Sequence, residues 1–315
     1  MLNLNNFSKI ALLLLMFSFG CKEFIEPPIN KKNVVLLAPA NGTESTLYNQ
    51  TFWWEEVEDA LKYRLQIVSP NFDQTARLIM DTLVQKNKFS YTLEPGNYEW
   101  RVRAENGSSK TAYVKAYFSI FPSSINQQQV QLLSPANNTM TNEPVNIFKW
   151  LKLFGADKYR LQIDTNSFAD ETQLFLDKTL TNQELTVVFS RNKTYEWRVQ
   201  AKNDTETSKW SGIQKITFDK SGPTKVTLSS PANNALVTRP VSLKWEALAS
   251  AKKYQLFVYK SNGETPYEGF PLTLTTATYS FTGGILGEKL FWAVKAIDGL
   301  GNVGPISESR SFSIQ

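Results

Sequence analysis

The chain has 315 residues, 42% apolar, 13% aromatic and 20% charged, which is material for two or three globular domains with cores of their own. A net charge of +5 is mild, and Lys and Arg alternate with apolar residues as on a solvated strand face, so nucleic acid is not expected as a partner. Histidine is absent and Cys21 is the single cysteine, which excludes disulfides and leaves no thiol nucleophile and no ordinary transition-metal ligand set beyond the first residues.

Lys9 followed by the apolar run Ile10 to Phe17 is a targeting segment too short to span a bilayer. Gly20-Cys21 follows directly. The arrangement resembles a bacterial lipoprotein signal, which implies a signal peptide over 1–20 and acyl chains on Cys21 as the membrane attachment. Buried acyl chains contribute roughly 0.8 kcal/mol per CH₂, enough for stable anchoring by several chains. An ordinary secretory signal followed by an incidental cysteine is the other reading. Lys22-Glu23 resembles the charged signals that send some lipoproteins to the surface of Gram-negative cells. The expected location is therefore the bacterial cell envelope, at the outer membrane, on its periplasmic or its outer side. Residues 21–33, with Pro27-Pro28 and Lys31-Lys32, read as a tether.

Then one pattern recurs. Leu36-Leu37-Ala38-Pro39-Ala40-Asn41-Gly42 returns as Leu132-Leu133-Ser134-Pro135-Ala136-Asn137-Asn138 and Leu228-Ser229-Ser230-Pro231-Ala232-Asn233-Asn234, with the prolines 96 residues apart each time. A fixed period marks an internal repeat. A strand ending in Trp54, Trp150 or Trp245 follows, and nine residues on a tyrosine opens another: Tyr63, Tyr159 and Tyr254. The best preserved stretch is Tyr98-Glu99-Trp100-Arg101-Val102-Arg103-Ala104. It is matched by Tyr195-Glu196-Trp197-Arg198-Val199-Gln200-Ala201 and by Leu290-Phe291-Trp292-Ala293-Val294-Lys295-Ala296. Strict alternation predicts half-buried strands with these tryptophans and tyrosines in the core. Pro122 to Gln129 and Asp219 to Thr224 read as polar linkers.

Short alternating strands in units of about ninety residues predict an all-β chain of tandem sandwiches. The stretch Leu93-x-Pro95-Gly96-x-Tyr98-x-Trp100-x-Val102-x-Ala104 resembles the E–F corner and F strand of fibronectin type III domains. Trp54 fits that family's core tryptophan, and Tyr98 and Tyr195 fit its tyrosine corner. Leu290 stands there in the third copy, whose corner hydrogen bond should be missing. The resemblance implies three fibronectin III, immunoglobulin-like sandwiches over 34–121, 130–219 and 224–315.

No catalytic residue, metal site or cofactor emerges. The cluster Glu55-Glu56-Val57-Glu58-Asp59 reads as a solvated loop, and Asp298-Gly299-Leu300-Gly301-Asn302 as a tight turn. Parity supplies the candidates. Residues between inward positions face out, so Trp53 is exposed, and in the third copy Phe257, Tyr259 and Phe291 should form an exposed aromatic patch left open by Ser311 and Ser313. Such patches suit the packing of a neighbouring domain or copy, a protein partner or a glycan. The expected function is a non-catalytic envelope lipoprotein, three sandwiches in a rod, serving adhesion or protein–protein interaction. The alternative is a glycan-binding surface lipoprotein beside a polysaccharide-uptake system.

Overall fold

The computed structural model describes residues 26–315, so the expected signal and Cys21 lie outside the described residues. The chain divides into two compact units, one ending at Ser123 and one running from Ser124 to Gln315.

The first unit holds β1 (Leu36–Ala38), β2 (Thr43–Ser45), β3 (Asn49–Trp54), β4 (Lys62–Ser69), β5 (Arg77–Val84), β6 (Lys88–Thr92), β7 (Gly96–Glu105) and β8 (Val114–Ile120). They form a three-stranded sheet, β1-β3-β6, and a five-stranded one, β2-β8-β7-β4-β5, in which only β2 and β8 pair in parallel.

The second unit repeats the plan twice. Its first sandwich comprises β9 (Leu132–Ser134), β10 (Thr139–Thr141), β11 (Val145–Trp150), β12 (Lys158–Asp164), β13 (Leu176–Leu180), β14 (Glu184–Val188), β15 (Lys193–Lys202) and β16 (Gln214–Phe218). The next comprises β17 (Leu228–Ser230), β18 (Ala235–Val237), β19 (Val241–Trp245), β20 (Lys253–Tyr259), β21 (Leu272–Leu274), β22 (Thr278–Phe281), β23 (Lys289–Ile297) and β24 (Arg310–Ile314). The sheet orders are β9-β11-β14 with β10-β16-β15-β12-β13, then β17-β19-β22 with β18-β24-β23-β20-β21.

Alternation sets the cores. Trp54, Trp100, Trp150, Trp197, Trp245 and Trp292 are all buried, as are Tyr98 and Tyr195. Rings meet edge to face, Phe52 on Trp100 at 5.2 Å and Phe148 on Trp197 at 5.0 Å, the arrangement that aromatic quadrupoles favour.

Three polar devices recur and explain motif residues that hydrophobic patterning leaves unassigned. The hydroxyl of each strand-opening tyrosine accepts an amide proton from the loop six residues back. The pairs are Val57 N to Tyr63, Leu153 N to Tyr159 and Leu248 N to Tyr254, at 2.8, 2.9 and 2.8 Å. The asparagine after each Pro-Ala pins the last strand: Asn41 Oδ1 accepts from Tyr117 N, Asn137 from Lys215 N and Asn233 from Ser311 N. The next residue, Gly42, Asn138 or Asn234, has a φ of 80°, 63° or 59°, a left-handed conformation that glycine and asparagine tolerate best. Third, Tyr98 donates to Glu94 O at 2.7 Å and Tyr195 to Arg191 O at 3.0 Å, closing two tyrosine corners. In the third sandwich buried Leu290 leaves the corner without that bond, and Tyr267 arrives from the β20–β21 loop, its hydroxyl accepting from Gly284 N at 2.8 Å.

The connecting segments differ from expectation. Residues 26–33 are not a free tether. Ile29 is fully buried, Ser109 Oγ accepts its amide, Asn106 donates to Pro27 O, and Lys32 pairs with Asp59 at 2.8 Å. The segment 122–129 carries a 3₁₀ turn, Ile125–Gln127, with Ile125 buried. Asn192 holds the other linker through Asp219, Lys220 and Ser221, and Asn302 donates to Asp219 O. Each linker contains apolar or hydrogen-bonding residues that gain more by docking than by remaining solvated.

Candidate interaction surface

In the first two sandwiches the outer face of the five-stranded sheet closes on itself. Arg101 donates to Gln66 at 2.8 Å, Gln66 to Asp81 at 2.9 Å, and Arg64 pairs with Asp81 at 2.8 Å. The second sandwich repeats the chain: Arg198 donates to Gln162, Gln162 to Asp177 at 3.1 Å, and Arg160 pairs with Asp177. The Arg64 guanidinium beside Asp81, and that of Arg160 beside Asp177, hold both carboxyls below the ordinary carboxylate range. Aromatic rings cap these faces, with Arg101 lying 4.1 Å from the Phe72 ring and 4.3 Å from Tyr113, and Arg198 4.2 Å from both Phe168 and Trp210. Sequence reasoning missed this ladder. Its polar members sit on outward strand positions, but which of them pair depends on strand neighbours and register, and the capping rings Phe72, Tyr113, Phe168 and Trp210 lie on loops, where parity has no meaning; Arg at the position shared by Arg101 and Arg198 was the available signal.

The third sandwich abandons the network. Register places Phe257 opposite Ala293, where Gln66 faces Arg101, and Tyr259 opposite Phe291, where Val68 faces Glu99. The structure thus brings the three predicted aromatics together. Phe257 and Tyr259 lie parallel within 8°, with centroids 6.1 Å apart. Lys295 sits 5.5 Å from the Phe257 ring and Lys289 5.4 Å from that of Phe291.

The patch is narrower than parity implies. Phe257, Tyr259 and Phe291 are half-buried rather than open. A side chain at Gly263 would touch the Phe291 ring at 3.8 Å, so the β20–β21 loop borders it. Ser311 does not leave the patch open either: it is 2% exposed and donates to Asn234 Oδ1 at 2.8 Å, with Lys289 donating to the same oxygen. Trp53, 43% exposed, lies in the first unit, beneath Lys88 at 5.5 Å. The acidic loop at Glu55 is a solvated turn partly neutralised by Lys32, and the Asp298 turn folds on itself. Burial raises the Asp298 pKa, but hydrogen bonds from Asn302, Leu300 and Gly301 outweigh it and hold the carboxyl below its ordinary value.

No family model matches the chain, and no curated protein matches it. Among solved structures, the FN1–FN3 domains of chicken CNTN1 are 15% identical, with a TM-score of 0.39 covering 90% of this chain and 98% of that one. The fibronectin(III)-like modules of Clostridium thermocellum CbhA are 11% identical, with a TM-score of 0.34 covering 59% of this chain and 94% of that one. The chain's own strand order decides the architecture: a three-stranded sheet facing a five-stranded one in every repeat, with two tyrosine corners. It is a tandem array of fibronectin III-like sandwiches.

Proposed function

We propose that this chain is a non-catalytic lipoprotein of the bacterial cell envelope, held at the outer membrane by acylated Cys21, whose sandwiches serve protein–protein contact or adhesion. The carrying observation is the departure of the third sandwich: two sheets neutralise their outer face internally, and the third replaces that network with Phe257, Tyr259 and Phe291. Desolvating aromatics costs little and returns apolar burial of about 25 cal/mol per Å², whereas an engaged Arg–carboxylate face would first have to be disrupted. Glycan binding is the second reading, favoured by the parallel Phe257 and Tyr259 rings. Membrane fractionation and whole-cell protease shaving of wild type beside Cys21→Ser test the anchor and its side of the membrane. Crosslinking with wild type beside Phe291→Glu tests the surface. Identical crosslinked species in both would remove the patch from the function, and unchanged membrane retention of Cys21→Ser would remove the lipid anchor.

A further inference from the structure

In the second sandwich, the β12–β13 and β14–β15 loops border a surface cavity of about 380 Å³, within the range of small-molecule sites. Its wall is aromatic. Phe175, 42% exposed, meets Tyr195 at 5.0 Å, and Tyr195 stacks on buried Phe189 at 4.0 Å. Its rim is cationic, formed by Arg191 and Lys193. Neither makes an ion pair with a described residue, whereas Arg160 and Arg198 on the adjoining sheet each hold a carboxylate. The lining contains no carboxylate, and Gln173 and Ser190 add an amide and a hydroxyl. The charge is particular to this copy: the corner carbonyl that comes from Arg191 here comes from Glu94 in the first sandwich.

We propose that this cavity binds a hexuronate residue of an acidic polysaccharide. The carboxylate takes the planar fork of Arg191 with Lys193 as second cation. The apolar C–H face of the pyranose lies on the Phe175 ring, and its hydroxyls reach Gln173 and Ser190. An acidic peptide would answer the two cations but presents no flat apolar face to Phe175. The site uses a different sandwich from the aromatic patch, so it stands or falls apart from the protein-contact reading.

Calorimetric titration of the full chain with tetragalacturonate tests this, with cellotetraose as neutral control and tetraglutamate as acidic-peptide control. Tetragalacturonate binds, and affinity drops about tenfold or more in Arg191→Gln and in Phe175→Ala, because a charge-assisted bond or an aromatic contact is lost. The melting temperature of Arg191→Gln stays within about 2 °C, since that side chain is exposed; Phe175→Ala also loses ring contacts with Tyr195 and Phe189, so Lys193→Gln serves should it fold poorly. No binding at millimolar tetragalacturonate, or unchanged affinity in Arg191→Gln, overturns the proposal. Equal binding of tetraglutamate, indifferent to Phe175→Ala, also overturns it by showing a basic patch without sugar recognition.

Discussion

Replacing Gly222 by alanine tests whether the linker between the second and third sandwiches is a fitted contact or a loose strap. Gly222 is not in the left-handed region, so the main penalty for a Cβ is steric contact. A Cβ there would meet Val303 O at 2.5 Å, Val303 C at 2.7 Å and Gly304 N at 2.9 Å, all of them backbone atoms that cannot swing aside. Ordinary contact begins at 3.4 Å, so linker and turn must part by about 0.9 Å. That shift carries the bond from Asn302 to Asp219 O from 3.1 Å to about 4.0 Å, past hydrogen-bonding range. A lost hydrogen bond costs about 1 kcal/mol and overpacking about 1–3 kcal/mol, for an expected total of about 2–4 kcal/mol. Gly212 is the internal control. A Cβ there has nothing within 4 Å, and alanine should be neutral or stabilise by up to about 1 kcal/mol through the unfolded chain. Urea unfolding followed by peptide-resolved hydrogen exchange keeps the sandwiches distinguishable. If Gly222→Ala costs no more than Gly212→Ala and protection at 219–226 and 298–304 is unchanged, the reasoning is wrong and the junction has room for a methyl group.

Tyr63→Phe, Tyr159→Phe and Tyr254→Phe should each destabilise their own sandwich by about 1–3 kcal/mol in urea titrations, since each strands a loop amide that the hydroxyl satisfied. Trp197→Ala should cost about 3–5 kcal/mol, most of the margin of a small domain, while exposed Trp53→Ala stays within about 0.5 kcal/mol by the same assay. Arg160 holds the Asp177 carboxyl below its ordinary range. The stabilisation is therefore complete above the unfolded pKa of about 3.9 and disappears as pH falls through the lower folded value. Asp177→Asn should lower stability at pH 7 by about 0.5–1 kcal/mol for this half-exposed pair, and should converge on wild type near pH 2 in a melting series.

Much of the fold was legible before any coordinates. Inward positions of a half-buried strand must be apolar, so a period of two exposes each strand, and a 96-residue period exposes the repeat. The same parity found Phe257, Tyr259 and Phe291, because which face a residue occupies is a local property. How open that face is depends on residues far along the chain: Asn234 covering Ser311 from 77 residues away, and the loop at Gly263 bordering Phe291. The docking of Ile29 and Ile125, the arrival of Tyr267 at a corner that lacks its tyrosine, and the cavity beside Phe175 escaped the pattern for the same reason. Local alternation determined the strands and their inner faces. Only tertiary structure decided what the outer faces and loops meet, because those contacts join residues that no periodic rule relates.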